Sequence, residues 1–396
     1  MLKKSSIFIV LAALSFARGE AASPAATNPP AAPANPLRLI LPKAVYAVPG
    51  QEMNIYFDNI VLTPNLRNYV INVADTRGRQ DQDRWRYTAT TNDVGSFPWR
   101  VKVMRGDKTL VAEGETVVHV VPRSAGKGRR LTVLVVGDSL TNASRYPREL
   151  FRLLKTEGNT NTVFIGRHSG GGRPPADGFA HEGYGGWTWR AFCTRWGEPK
   201  NEKDYQCKSS FLRLVDGKPT LDFQNYCNTY NEGKPPDFIT VFLGCNDTFS
   251  STEETIEKTI DSMFRYADML LAEFRRVGPD TQIGLLLLVP PAASQDAFGS
   301  NYKCGQTRWQ YRRNQHRVVE RTMEAYGDRE GDNIFLVPTY VNIDCVDGYP
   351  QREEPINARN PAKISRHSNG VHPATPGYDQ IADSIYAWMR YRLGQK

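Results

Sequence analysis

The chain lacks the spacings that mark most metal and redox sites. Its six histidines and six cysteines form no C-x-x-C or H-E-x-x-H pattern, so neither a structural nor a catalytic metal is expected. The glycine run Ser169-Gly170-Gly171-Gly172 lacks the G-x-x-x-x-G-K-[ST] form that cradles phosphate and reads as a loop, so no cofactor is implied. The G-x-S-x-G elbow is absent as well, which argues against the α/β-hydrolase fold. Beyond the N-terminus no apolar run approaches membrane-spanning length. Leu285 to Val289 is strand-sized and Pro290-Pro291 ends it, so no membrane anchor is expected. Cysteine is missing from the first 192 residues: Cys193, Cys207, Cys227, Cys245, Cys304 and Cys345 all fall later. Cys304 with Cys345, and one pair among Cys193, Cys207 and Cys227, are the bridges considered, though spacing cannot rank the connectivities. Cys245 follows a strand-like run and is expected as a small buried residue.

What is present begins with a transport label. Lys3 and Lys4 precede the apolar run Ile7 to Leu14, and small residues follow at Ser15, Ala17, Gly19, Ala21 and Ala22. Residues 1–22 read as a secretory signal, with a secreted or periplasmic destination. Residues 23–36 are rich in Ala and Pro and read as an extended spacer. The 396 residues, 40% hydrophobic and 23% charged, have a globular composition with room for two domains. The net charge of +8 is scattered, its densest cluster being Lys127-Gly128-Arg129-Arg130. A solvated surface accounts for that pattern better than a nucleic-acid partner, and a mild preference for acidic polysaccharide is the other reading.

Texture divides the rest. Over residues 37–122, short strand-like runs such as Met53 to Phe57, Tyr69 to Val73, Trp99 to Val103 and Thr116 to Val120 alternate with turn signals such as Pro49-Gly50. That spacing predicts a small Ig-like β-sandwich. Residues 123–130 form a polar linker. From residue 131 to 396, buried-type strands (Leu131 to Val136, Thr162 to Ile165, Phe238 to Leu243, Ile283 to Val289) alternate with amphipathic helices. The pattern predicts an α/β domain with a parallel sheet covered on both faces. Ser251-Thr252-Glu253-Glu254 is a capping box for a helix carrying Ile256, Ile260, Met263, Ala267 and Leu271. Thr375-Pro376 opens the last helix.

Four separated segments carry the chemistry. They are Gly137-Asp138-Ser139-Leu140, Gly183-Tyr184-Gly185-Gly186-Trp187, Gly244-Cys245-Asn246-Asp247, and Asn369-Gly370-Val371-His372-Pro373. Ser139 follows the first strand of the domain, where open α/β sheets bind ligands. The competing role for Ser139 is a plain helix cap. Asp138 and Asp247 are expected to hold loop geometry through hydrogen bonds.

In order and context the four blocks resemble the SGNH, or GDSL-type, hydrolase family, and the likeness runs from about Leu131 onward. It implies a three-layer α/β/α fold with Ser139 as nucleophile and His372 as base. The backbone N–H groups of Ser139 and Gly186, with the Asn246 amide, would form the oxyanion hole. Gly186 rather than Gly185 is chosen because His181 to Trp187 is similar to acetylxylan-esterase-like second blocks. The family's D-x-x-H is replaced here by Asn369-Gly370-Val371-His372. An Asn carbonyl can orient an imidazole but cannot stabilise its charged form. A Ser-His-Asn triad, a Ser-His dyad with other support, and a degenerate enzyme all fit.

Trp187 is a candidate for stacking on a sugar, with aromatic core packing the other reading. His367 is a candidate loop or substrate contact rather than the base. The implied activity is an exported carboxylic ester hydrolase that removes acyl groups, acetyl first, from polysaccharide or oligosaccharide. A lipase or phospholipid-type esterase and an inactive carbohydrate-binding protein are the alternatives.

Overall fold

A computed structural model describes residues 37–201, 204–301 and 306–395. The signal, the Ala/Pro-rich spacer and Cys304 lie outside the described residues. The sheet at the centre contains the strands Asn161–Ile165, Arg130–Gly137, Phe238–Phe242, Gln282–Leu286 and Ile334–Val337, in that spatial order and all parallel. Numbered along the chain this is the order 2-1-3-4-5. Its switch point lies between Arg130–Gly137 and Phe238–Phe242, the position at which open α/β sheets bind ligands beyond the strand ends. The short strand Glu182–Gly183 pairs with the last residues of Arg130–Gly137 and brings the second glycine block to the same edge.

These strands read as unbroken apolar runs because helices cover both faces. On one side Arg145–Arg152 packs against the C-terminal helix Thr375–Gly394; on the other Ile256–Val277 packs with Trp189–Thr194 and Arg308–Tyr326. Ile256–Val277 buries a stripe of Ile260, Met263, Ala267, Leu270, Leu271 and Phe274 at three- and four-residue spacing. It begins one turn later than the expected capping box. Thr252 N–H and Oγ instead bond Thr255 Oγ1 and Glu254, while the Ser251 carbonyl accepts from the Gln310 and Asn314 amides.

The N-terminal portion is a two-sheet sandwich. One sheet has the order Ala44–Ala47, Leu110–Val120, Gly95–Met104, Val70–Val73; the other has Glu52–Tyr56, Arg84–Thr88, Arg79–Gln80. Strict alternation along Gly95–Met104 turns Phe97, Trp99, Val101 and Val103 inward. Trp99 meets Trp85 with ring centroids 5.9 Å apart, and Phe97 meets Tyr87 edge-on at 5.7 Å.

Residues 37–395 form one compact body. The sandwich docks on the helical domain through Asn54 N–H, which donates to Asn342 Oδ1 at 2.8 Å, and through Tyr46, whose ring lies 5.0 Å from that of Tyr391. The 123–130 segment is fastened on both sides. Arg123 Nε donates to Pro49 O at 2.6 Å, and the buried Arg390 guanidinium donates to Arg123 O and Gly158 O.

Cys193, Cys207, Cys227, Cys245 and Cys345 are free thiols, so the bridge considered among the first three is not made. The reason is local packing: Cys193 donates to Tyr266 O across a helix pair, and Cys345 donates to Asn59 Oδ1. Among the described residues no helix is long and apolar enough to cross a membrane, and no group of three or more His, Cys, Asp or Glu is placed to hold a metal.

Trp99 is fully buried between the two sheets. Trp99→Ala should therefore lower unfolding free energy by about 3–5 kcal/mol, read from denaturant melts.

Candidate active site

Ser139 is the first residue of a short helix, Ser139–Asn142, directly beyond strand Arg130–Gly137. Gly137 is required at that strand end, because a Cβ there would run into the Thr141 side chain and the Phe242 carbonyl. Asp138 caps the helix, its Oδ1 accepting from Leu140 N–H at 3.0 Å. Ser139 Oγ lies 2.8 Å from His372 Nε2, which joins positions 233 residues apart. Burial of the imidazole holds its pKa below the ordinary value, with desolvation as the cause. A neutral ring protonated on Nδ1 presents its Nε2 lone pair to the serine hydroxyl.

The second block forms a turn in which Trp187 N–H donates to Tyr184 O at 3.2 Å. Gly186 occupies it at φ +74°, with open space where a side chain would stand. Tyr184 N–H donates to Gly137 O at 3.0 Å, so the turn is hung from the end of the serine strand. His181 supports it from behind: its Nδ1 accepts from Gly183 N–H at 3.1 Å and its Nε2 meets Ser144 Oγ at 2.7 Å. Among the described residues, no group accepts from the N–H of either Ser139 or Gly186.

The third block is the helix Cys245–Thr248 beyond strand Phe238–Phe242, entered through Gly244 at φ +125°. Asn246 Nδ2 donates to Asp138 Oδ2 at 3.1 Å and to Trp187 O at 3.0 Å. Both of its N–H bonds are therefore engaged in the resting site. To bind an oxyanion the amide must share one of them or turn. Cys245 Sγ donates to the same Asp138 oxygen at 2.9 Å. Burial pushes the Asp138 carboxyl up to about 6 against the lowering effect of the Cys245 and Leu140 donors, and burial likewise pushes Asp247 up to about 7. Asp247 Oδ2 accepts weakly from Trp189 N–H at 3.4 Å.

Asn369 Oδ1 accepts from Val371 N–H at 3.0 Å and from His372 N–H at 2.9 Å. This Asx turn sets the backbone that carries the imidazole. Gly370 is needed in that loop because a Cβ would strike the Phe298 ring at 2.6 Å.

Two sequence candidates are placed away from the reacting atoms. Trp187 is fully buried, stacked on Tyr184 at 4.2 Å and edge-on to Phe192 at 4.9 Å, so its ring is core and only its carbonyl serves the site. His367 ends the hairpin Gln351–Asn357/Asn360–His367, and its Nε2 bonds Val346 O at 2.6 Å. It borders a separate 360 Å³ cleft with Arg352, Glu354 and Asp296.

Other residues come to the site without a motif to announce them. Asn142 closes the serine helix, and its Nδ2 donates to Tyr205 Oη at 3.2 Å while its Oδ1 accepts from Gly171 N–H at 3.1 Å. Gln206 Nε2 donates to the same phenol at 3.2 Å. Both amides stand 4.0 Å from where a Cβ on Gly185 would lie. Tyr205 opens onto a 460 Å³ cleft lined by Arg167, His168, Asn201 and Asp204. Asn142 lies one helical turn from Ser139, the only local signal in the sequence.

A nucleophile–base pair at the sheet's switch point, beside two unengaged N–H groups, can carry out acyl transfer. The family model for GDSL-like lipase/acylhydrolase matches residues 133–385. The chain belongs to that family. Solved structures similar to this GDSL hydrolase include a family 3 carbohydrate esterase from Clostridium thermocellum, at 19% identity over 67% of this chain and 97% of that one, with a TM-score of 0.38. A possible lipase from Chitinophaga pinensis is 15% identical over 67% and 100% of the two chains, at TM-score 0.37. A mutant acetyl-xylooligosaccharide esterase from Geobacillus Stearmophilus is 15% identical over 65% and 93%, at 0.32. These likenesses are distant. No curated protein matches it.

Two expectations follow for this GDSL hydrolase. Asn246→Ala should lower kcat by about 10²–10³-fold. Asn369→Ala should lower it about tenfold through loss of the Asx turn, whereas Asn369→Asp keeps an acceptor for both N–H groups and should match or exceed wild type. Steady-state kinetics on a p-nitrophenyl ester reads all three.

The pH dependence has a definite sign. The base works when neutral, and its depressed pKa keeps it neutral into mild acid. The acid limb of kcat/KM should therefore centre below about 6.5, with activity rising through it and level by neutrality. A limb centred above that value would contradict the buried imidazole.

Proposed function

We propose that this GDSL hydrolase is an exported serine esterase that removes acyl groups, acetyl foremost, from polysaccharide or oligosaccharide hydroxyls. The observation that carries the esterase reading is the 2.8 Å contact of Ser139 Oγ with His372 Nε2. Export rests on the signal-like pattern of residues 1–22. The hydrophilic alcohol is favoured by the surroundings of the serine helix: Asn142 and Gln206 amides bond the Tyr205 phenol, and Tyr205 lines a cleft bordered by Arg167 and Asp204. Such groups match hydroxyls better than an acyl chain of lipid length.

In this mechanism His372 Nε2 takes the Ser139 proton as Oγ attacks the ester carbonyl carbon. The Ser139 and Gly186 N–H groups stabilise the oxyanion, joined by Asn246 as it releases or shares a bond. Collapse expels the sugar hydroxyl, which receives the proton from His372, and leaves an acyl-serine. Water, deprotonated by His372, then attacks that ester, and the acid and free Ser139 are regenerated.

Acetate release from acetylated xylan, mannan and pectin should be measurable with wild type and should fall at least ~10³-fold in Ser139→Ala. Release that survives the substitution would overturn the serine mechanism. Hydrolysis of small esters without release from any glycan would overturn the substrate class.

A further inference from the structure

The loop that presents His372 is held from outside by hydrogen bonds to backbone carbonyls on both flanks. His367 Nε2 donates to Val346 O, Ser368 N–H donates to Pro350 O at 2.9 Å, and Ala374 N–H donates to Gly348 O at 2.9 Å. Between them Gly370 O accepts from Ala292 N–H at 3.1 Å. The placement of the imidazole therefore depends on two neighbouring segments, 290–293 and 343–350.

Both segments are gripped by one short helix of the sandwich, Phe57–Ile60. Asn59 is buried, and its Nδ2 donates to Tyr340 O at 2.8 Å and Ile343 O at 2.7 Å, while its Oδ1 accepts from the Cys345 thiol at 3.3 Å. Cys345 O in turn accepts from Ala293 N–H at 2.7 Å. Asp58 works through an arginine. Its Oδ2 pairs with Arg308 Nη2 at 3.1 Å, and Arg308 Nε donates to Ala292 O at 2.9 Å. The Ala292 peptide thus has Arg308 on its carbonyl and Gly370 on its N–H. The other Asp58 oxygen pairs at 3.0 Å with Arg312, whose Nη2 also donates to Val61 O at 2.8 Å. The Asp58 carboxylate is locked between two guanidinium groups from one helix.

We infer that the sandwich is a buttress for the catalytic base, with Asp58 and Asn59 acting as positioning residues for His372. A module that served only as an attached glycan binder would have no call to hydrogen-bond the carbonyls beneath the base. Charge pairing and backbone capture here run in an unbroken series from Asp58 through Arg308 and Ala292 to Gly370, two residues before His372. Misplacement of a reacting group by about 1 Å costs on the order of 10²-fold in rate, so loosening this series should appear in the chemical step rather than in substrate binding.

The inference rests on the Ser139–His372 esterase reading, and the experiment separates the two. Full-length wild type, Asp58→Ala, Asp58→Asn, Asn59→Ala and Val101→Ala are compared. The readouts are the rate of Ser139 labelling by a fluorophosphonate per folded molecule, and kcat and KM on p-nitrophenyl acetate. Asp58→Ala and Asn59→Ala should slow labelling and kcat about 10- to 100-fold with KM within about twofold. Asp58→Asn, which keeps an acceptor for Arg308, should recover most of the rate. Val101→Ala, in the sandwich core, should lower thermal stability and leave both rates unchanged. If Asn59→Ala does not fold, the part-exposed Asp58 pair carries the comparison. A wild-type labelling rate in Asp58→Ala would overturn the buttress while leaving the esterase intact. Failure of wild type itself to label would overturn the esterase reading and the buttress with it.

Discussion

The Asp138 carboxylate accepts from Leu140 N–H, from the Cys245 thiol and from the Asn246 amide, and through Asn246 it reaches the Trp187 carbonyl. Three segments distant in sequence meet on that one group. Desolvation makes a buried carboxylate costly unless donors replace water, and here every donor comes from a loop that builds the site. Separating the loops would leave the charge unsolvated. The ends of the first and third strands of the sheet are therefore tied together at the switch point, and the serine helix starts from that knot.

The base reaches the site by different physics. His372 stands on a loop that takes its shape from an internal Asx turn and from backbone bonds to its neighbours. The nucleophile is thus fixed by buried charge and its donors, and the base by peptide hydrogen bonding against a scaffold. Electrostatic anchoring tolerates little change in protonation. Backbone anchoring tolerates changes of pH but is sensitive to what packs behind it, and behind it stand Tyr340, Cys345 and the short sandwich helix.

Much of this was legible in the sequence, for physical reasons. Val133 to Val136 and Phe238 to Phe242 are buried on both faces, and such strands write themselves as unbroken apolar runs. Ser139 and Asn246 stand shortly after apolar strand-like runs, Gly186 belongs to a glycine-rich block, and His372 stands just ahead of a proline-opened helix, so each bears a local signature. Trp187 could not be resolved, because an aromatic beside a functional glycine reads equally as platform or core, and burial depends on Tyr184 and Phe192. The start of Ile256–Val277 was misplaced because Ser251 is drawn into bonds with Gln310 and Asn314 from another helix. Asp58 and Arg308 belong to no motif and lie 250 positions apart; no window along the chain could pair them. Asn142 and Tyr205 are likewise joined only by the folded loops.

The docking of the sandwich has a bearing on time as well as space. Asn54 N–H bonds Asn342 across 288 positions, and Asn59 reaches Tyr340 across 281. The first strands to leave the ribosome thus cannot close their outer face until residues near the far end of the chain have been made. Contacts of such separation slow folding, because loop entropy is lost before any contact rewards it. Over the same interval Ser139 has no partner, since His372 is synthesised 233 residues after it. The nucleophile therefore waits for its base until almost all of the chain has been synthesised.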